Sequence, residues 1–281
     1  MSEYASGSGG YQSPTVAVFG GEHLQLRLER RSRWGLSTYT SPVLYPVQQL
    51  DTHNGSEGRA ALNALLGTLP RQSYIAFTAE LSADALVPFQ RAGFTLQPRL
   101  SYRLSLADPA GIGRSFSRNR RRNLRAAERA GGHYAPVAGE IAHRQFDELL
   151  KDRGSHLPLR PARFVEQLTR QPQRYMLRGV FLPGETAPRA SLLVARCGPV
   201  AYALFNARRE GDAGALTLLY RQAMRELSGQ GVEQFDFNGS MLPGVAPFLR
   251  SFGGEPHVRY YAQRIPGGRW GRALYGLVRG R

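Results

Sequence analysis

The chain has 281 residues, 37 Lys and Arg against 21 Asp and Glu, and a formal net charge of +16. With 42% hydrophobic and 10% aromatic residues it has ample material for buried cores, which excludes a disordered chain, and its length suits two domains or one large one. No apolar run approaches about 18 residues, so no transmembrane helix is expected, and the lone Cys197 excludes an internal disulfide and favours a reducing, cytoplasmic setting.

Residues 1–13, rich in Ser, Gly and Tyr, read as a loose tail without the basic and apolar regions of a signal peptide. Leu24, Leu26 and Leu28 alternate with polar residues, predicting a strand over 24–31 with a hairpin partner at 34–40. Ser56 is placed to cap a helix to about Leu69, whose Leu62, Leu65, Leu66 and Leu69 form one apolar stripe. A short strand over 73–78, a helix from Ser82 to Gly93 and extended chain over 95–106 complete a ββ-α-β-α-β order.

An arginine-rich helix is predicted from Arg114 to Ala130, stopped by Gly131-Gly132. Beyond it come a short strand at 133–137, helices at 140–152 and 161–170, and a three-stranded meander over 174–182, 189–196 and 200–206. A helix over 213–228, a strand at 233–237, a helix at 244–252 and a last strand at 258–265 give a similar order again. The window Pro88-Phe89-Gln90-Arg91-Ala92-Gly93 also matches Pro247 to Gly253 with one insertion, and Arg99 and Arg259 follow. So short a window also matches by chance, but the shared element order favours a duplication.

Several chemistries are excluded. Lys151 follows Leu150 and not a glycine, so there is no Walker A loop; no GxSxG elbow occurs; and the six histidines lack metal-ligand spacing, so no metal is expected. A positive signal lies where the meander meets the next helix: Arg208, Gly211 and Ala213, with Arg209 and Gly214, satisfy R-x-x-G-x-A. Small residues there let backbone N–H groups at a helix start approach a pyrophosphate, although an ordinary connector has the same composition. The pattern is similar to the coenzyme A loop of GNAT-fold acyltransferases, and it sits where that topology needs it.

The run Phe235-Asp236-Phe237-Asn238-Gly239-Ser240-Met241 through Ser251-Phe252-Gly253-Gly254 resembles the strand-turn-helix of bacterial FemAB-like tandem-GNAT proteins. The basic stretch Arg120 to Gly131 resembles that family's helix between its two halves. Asn238 stands where the family pattern has Glu and cannot take a proton, and the long helical arm of tRNA-dependent Fem ligases is absent.

The resemblance implies an α/β (α+β) fold of two GNAT-like mixed-sheet halves in tandem, 14–107 and 133–266, joined by the basic helix 108–132 and followed by a basic segment 267–281. It implies transfer of an acyl or aminoacyl group to an amine, from acyl-CoA or aminoacyl-tRNA, on an acceptor such as a cell-envelope precursor. Asp236, Asn238 and Ser240 are the candidate catalytic residues, although Asp236 also reads as a turn carboxylate and Ser240 as a helix cap. Tyr220, Tyr260 and Tyr261 are proton donors or packing residues.

Arg118, Arg121, Arg122, Arg125 and Arg129 recur at i+3 and i+4, so one helix face presents a basic stripe with only Glu128 to offset it. Arg118, Arg121, Arg122 and Arg125, with Arg250, are the candidate site for a phosphate-bearing substrate or donor, which a lipid head group or tRNA backbone also fits. The alternative is a non-catalytic anion-binding module on the same scaffold. At the C-terminus, Trp270, Ala273, Leu274, Leu277 and Val278 share a helical side while Arg269, Arg272, Arg279 and Arg281 add charge. This suits a peripheral anchor at an anionic membrane face, or a terminal helix packed on the last domain.

Overall fold

A computed structural model describes residues 15–20, 24–33, 36–50, 55–152, 154–239 and 244–267. Ser240 and the C-terminal segment from residue 268 lie outside these residues. The fold is mixed α/β, with seven helices among the described residues, none of them long and apolar enough to cross a membrane. The chain divides into two compact units, Met1–Arg99 with Val258–Arg281, and Leu100–His257. The arginine-rich helix, read from the sequence as a connector, falls inside the second unit, and the last predicted strand falls in the first.

The first unit runs through β1 (Thr15–Gly20), β2 (Gln25–Arg33), β3 (Leu36–Thr40), β4 (Gln48–Gln49), α1 (Gly55–Thr68), β5 (Tyr74–Glu80), α2 (Ala83–Arg91) and the start of β6 (Thr95–Ser105). Sequence reasoning missed β1 and β4. Strands β1, β2 and β3 form an antiparallel meander, and β3 and β4 both pair parallel to β5. Gln48 is buried and exchanges hydrogen bonds with the Arg27 backbone, accepting from its N–H at 3.3 Å and donating to its carbonyl at 3.1 Å. Ser56 lies within the first turn of α1 instead of capping it. The predicted stripe is real, since Leu62, Leu65, Leu66 and Leu69 all join Leu24, Leu26 and Leu28 in the core.

The second unit continues with α3 (Arg118–Arg129), β7 (His133–Pro136), α4 (Gly139–Lys151), α5 (Pro161–Arg170), β8 (Tyr175–Phe181), β9 (Ala190–Cys197), β10 (Val200–Arg208), α6 (Ala213–Gly229), β11 (Gln234–Asp236) and α7 (Val245–Arg250), and β12 (Glu255–Arg264) returns to the first unit. There β12 pairs antiparallel with β5, and the Arg264 guanidinium closes the ends of both helices by donating to the carbonyls of Leu69, Pro70 and Ala92.

In the second unit β7, β8, β9 and β10 are antiparallel neighbours, β10 pairs parallel with β11, and β11 pairs antiparallel with residues 103–105 of β6. Residues 190–195 of β9 are buried at every position, not at alternate ones, because α4 covers one sheet face and α6 the other. On the α4 face, Phe146 stacks on Phe205 at 5.7 Å. On the α6 face, Glu226 accepts from Arg178 at 2.5 and 3.0 Å and from the Tyr134 hydroxyl at 2.6 Å. Burial would raise the Glu226 carboxyl, but these donors outweigh it and hold it below the usual range.

The basic helix begins at Arg118 and not at Arg114, because Ser117 takes the cap position and its hydroxyl accepts from the Arg120 N–H. It packs on α6 through Leu124 and Ala127, leaving Arg118, Arg121, Arg122, Arg125 and Arg129 exposed.

Candidate active site

Asp236 and Asn238 lie where β10 and β11 part. Their parallel pairing ends at Tyr202 and Asp236, and Leu204 is the extra residue of a β-bulge against β9, since Ala203 faces Val194 and Phe205 faces Leu193. A bulge bends its strand, so β10 turns away from β11 beyond it. The chain after Asp236 stays with β6 instead: the Phe237 N–H donates to the Tyr102 carbonyl at 2.9 Å and the Gly239 N–H to the Ser101 hydroxyl at 3.1 Å. The β10 edge from Ala203 to Arg208 is therefore left without a strand partner among the described residues.

Asp236 fixes this geometry. Its side chain is fully buried; one carboxylate oxygen accepts from the Ser101 hydroxyl and from the Asn238 N–H at 2.7 Å, and the other from Arg103 Nε at 2.9 Å. Arg103 in turn reaches the Tyr202 hydroxyl at 3.3 Å, tying β6, β10 and β11 together where the parting begins. Asn238 has φ 50°, a left-handed conformation that Asn tolerates better than most residues, and this turns the chain out of the strand. Asp236 and Asn238 are thus brought together, with the carboxylate turned toward β6 and already engaged by three donors.

The loop after β10 splits the R-x-x-G-x-A residues into different roles. Arg208 is exposed and has no carboxylate partner among the described residues, whereas Arg209 lies 3.8 Å from Glu185. Glu185 also pairs with Arg189, which reaches Asp212 at 3.4 Å and so ties the loop to the start of β9. Gly211 has φ +81° and open space around it, so the turn itself demands a glycine.

Gly214 is needed for a different reason. A Cβ there would lie 2.9 Å from the Asn123 carbonyl oxygen and 3.3 Å from the Ala127 side chain, so it is the close passage of α3 over the first turn of α6 that excludes a larger residue. Gly214→Val is therefore expected to destabilise the protein by about 1–3 kcal/mol through overpacking. Urea unfolding of this variant beside Ala213→Val checks it, and equal stability of the two would refute it.

On α3, Arg118, Arg121, Arg122 and Arg125 surround one open hollow of about 630 Å³ with Asn119. Arg121 donates to the carbonyls of Arg114 and Phe116 at 3.1 and 2.5 Å. Arg250 is placed elsewhere, at the end of α7 with its guanidinium 5.7 Å from the Tyr102 ring. Sequence reasoning counted Arg120 in the basic stretch but gave it no place in the site. Positions 120, 124 and 127 lie on the inward face of the helix, so a half-buried arginine there breaks the apolar stripe, and that break was the available signal.

Residues 114–250 match the family profile of the acetyltransferase (GNAT) domain. Solved structures share the fold. FemX superposes with a TM-score of 0.65 at 13% identity, over 94% of this chain and 90% of its own. The C-terminal domain of a putative lysylphosphatidylglycerol synthetase from Agrobacterium fabrum gives 0.62 at 12% identity, over 93% and 87%. L-PGS from Bacillus licheniformis gives 0.55 at 13% identity, over 89% and 84%. No curated protein sequence matches the chain significantly.

Proposed function

We propose that this chain, an acyltransferase with a GNAT domain over residues 114–250, transfers an acyl or aminoacyl group from a phosphate-bearing donor to an amine. The observation that carries this is the open edge of β10 beyond Tyr202. Unpaired backbone groups along a strand edge can hydrogen-bond the amides of an extended donor arm, as another strand would. N–H groups near the bulge are suitable donors to the oxyanion that forms when an amine attacks the carbonyl. Arg208 and Gly211 lie at the far end of that edge, where the phosphates of the donor would rest.

With its three donors in place, Asp236 suits the positioning of the 237–239 turn better than proton transfer. The donor is a CoA thioester or an aminoacyl-tRNA. The fold shared with a putative lysylphosphatidylglycerol synthetase domain motivates testing lysyl donors and anionic-lipid acceptors as well as cell-envelope amines. A second reading, an anion-binding module without catalysis, is favoured by the exposed arginines around the α3 hollow. Transfer assays with radiolabelled acetyl-CoA and lysyl-tRNA against an amine panel separate the two. Labelled product from either donor is expected; no product from both, with salt-sensitive binding of RNA or anionic vesicles, would favour the module.

A further inference from the structure

β7 covers β8 only from Phe181 to Arg178: its last pair joins Pro136 to Arg178, and the chain then turns into α4 at Gly139. At Met176 and Leu177, β8 is therefore the outermost strand of this sheet among the described residues. The Arg196 N–H donates to the Arg174 carbonyl at 2.7 Å, which sets the alternation along β8. Positions 174, 176 and 178 turn their backbone groups toward β9, and Leu177 turns its own outward. The Leu177 carbonyl takes Arg178 Nη1 at 3.1 Å and keeps a second lone pair, while its N–H faces the open side.

That edge is the floor of a groove of about 420 Å³ that reaches around both faces of the sheet. On one face Val165 and Leu168, one turn apart on α5, give it an apolar wall. On the other, Arg178, Arg196, Glu226 and Gln230 give it a polar wall with one more cation than anions. Glu226 is already engaged by Arg178, Tyr134 and Gln230. Arg196 has no carboxylate partner among the described residues: its Nη1 donates to Gln230 Oε1 at 2.6 Å, and its Nε is buried without an acceptor.

An open strand edge with an apolar wall on one face and a cationic wall on the other is a template for a strand whose side chains alternate between apolar and acidic. We propose that this groove binds an extended acidic segment of a partner protein, which adds to β8 at Leu177 as a further strand. Its apolar side chains would lie against Val165 and Leu168 and its carboxylates toward Arg196. Main-chain bonds at Leu177 hold such a segment, and the two walls select its sequence. A second copy of this chain is the poorer occupant, because two chains of net charge +16 repel each other. The groove also stands apart from the loop after β10. Arg196 lies near the end of the β9–β10 ladder where Cys197 pairs with Val200, and Arg208 closes the opposite end against Ala190. Strand addition there is independent of acyl transfer.

Fluorescence anisotropy with labelled hexapeptides tests this on the wild type, Arg196→Met, Leu168→Glu and, as a control at an exposed position of α4, Arg144→Met. The probes are blocked at both ends and alternate valine with glutamate or valine with lysine. The wild type is expected to bind the glutamate peptide saturably. A loss of about tenfold or more is expected for the lysine peptide on the wild type and for the glutamate peptide on Arg196→Met and Leu168→Glu, with little change in Arg144→Met. Amide exchange followed by NMR should slow at Leu177 when the glutamate peptide saturates the wild type. That readout needs no variant, so it holds even if Arg196→Met unfolds. No saturable binding, equal affinity for the two peptides, an equal loss in Arg144→Met, or unchanged exchange at Leu177 would overturn strand addition. Self-association of the free protein that Leu168→Glu abolishes would make a second copy the occupant and overturn the acidic partner.

Discussion

Phe252→Ala is expected to lower the unfolding free energy by about 4 kcal/mol. The Phe252 ring is fully buried, with centroids 5.1 Å from those of Phe116 and Tyr220, 5.2 Å from Phe248 and 5.6 Å from Phe237. It is the common neighbour in a cluster that joins the segment before α3 to α6, the end of β11 and α7. Truncation removes the ring shared by all these neighbours and leaves a cavity whose walls come from four segments, so no single side chain can collapse into it. It also removes one of the two rings beneath the Arg120 guanidinium. Phe252→Leu keeps most of the volume and is expected to cost about 1.5 kcal/mol or less while still supporting Arg120 from Phe248. Urea denaturation of both variants measures the difference, and a Phe252→Ala loss under about 1 kcal/mol would show that the cluster does not carry this load.

Local patterns made most of the fold legible. Leu24, Leu26 and Leu28 signalled β2 through a period of two, and Leu62, Leu65, Leu66 and Leu69 signalled α1 through a period near four, because each set faces one core. β1 was missed for the converse reason: Val16 and Val18 are 62% and 54% exposed while Ala17 and Phe19 pack on the core, so apolar residues on both faces hide the alternation that would mark the strand. β4 is two residues held by Gln48, and no periodicity exists at that length. The site was legible as a list of residues but not as a geometry. Asp236 was recognised, yet the partners that decide what its carboxylate does, Ser101 and Arg103, are 135 and 133 positions away. Gly214 was read as making room for a phosphate, and only the path of α3 shows that a carbonyl of Asn123 occupies that space.

Asp236→Ala is expected to cost about 3–5 kcal/mol, the penalty for breaking a largely buried ion pair and taking the carboxylate away from three donors. Arg103, whose side chain is only 15% exposed, would lose its carboxylate, and the Ser101 hydroxyl and the Asn238 N–H would lose theirs. The consequence reaches the site, because these bonds keep residues 237–239 on β6 and so keep the β10 edge open. Asp236→Asn separates this positioning role from proton transfer. The amide can still accept at Oδ1 from Ser101 and the Asn238 N–H, but its NH2 group would face Arg103 Nε, donor against donor. A carboxylate that only took a proton would give an Asn variant of native stability with kcat lost. The clamp gives instead a variant that melts early and recovers part of its stability when Arg103 is also replaced by Met, with a coupling energy of about 1–3 kcal/mol in the double-mutant cycle. Additive losses in that cycle, with kcat falling at unchanged stability in Asp236→Asn, would return Asp236 to the chemistry.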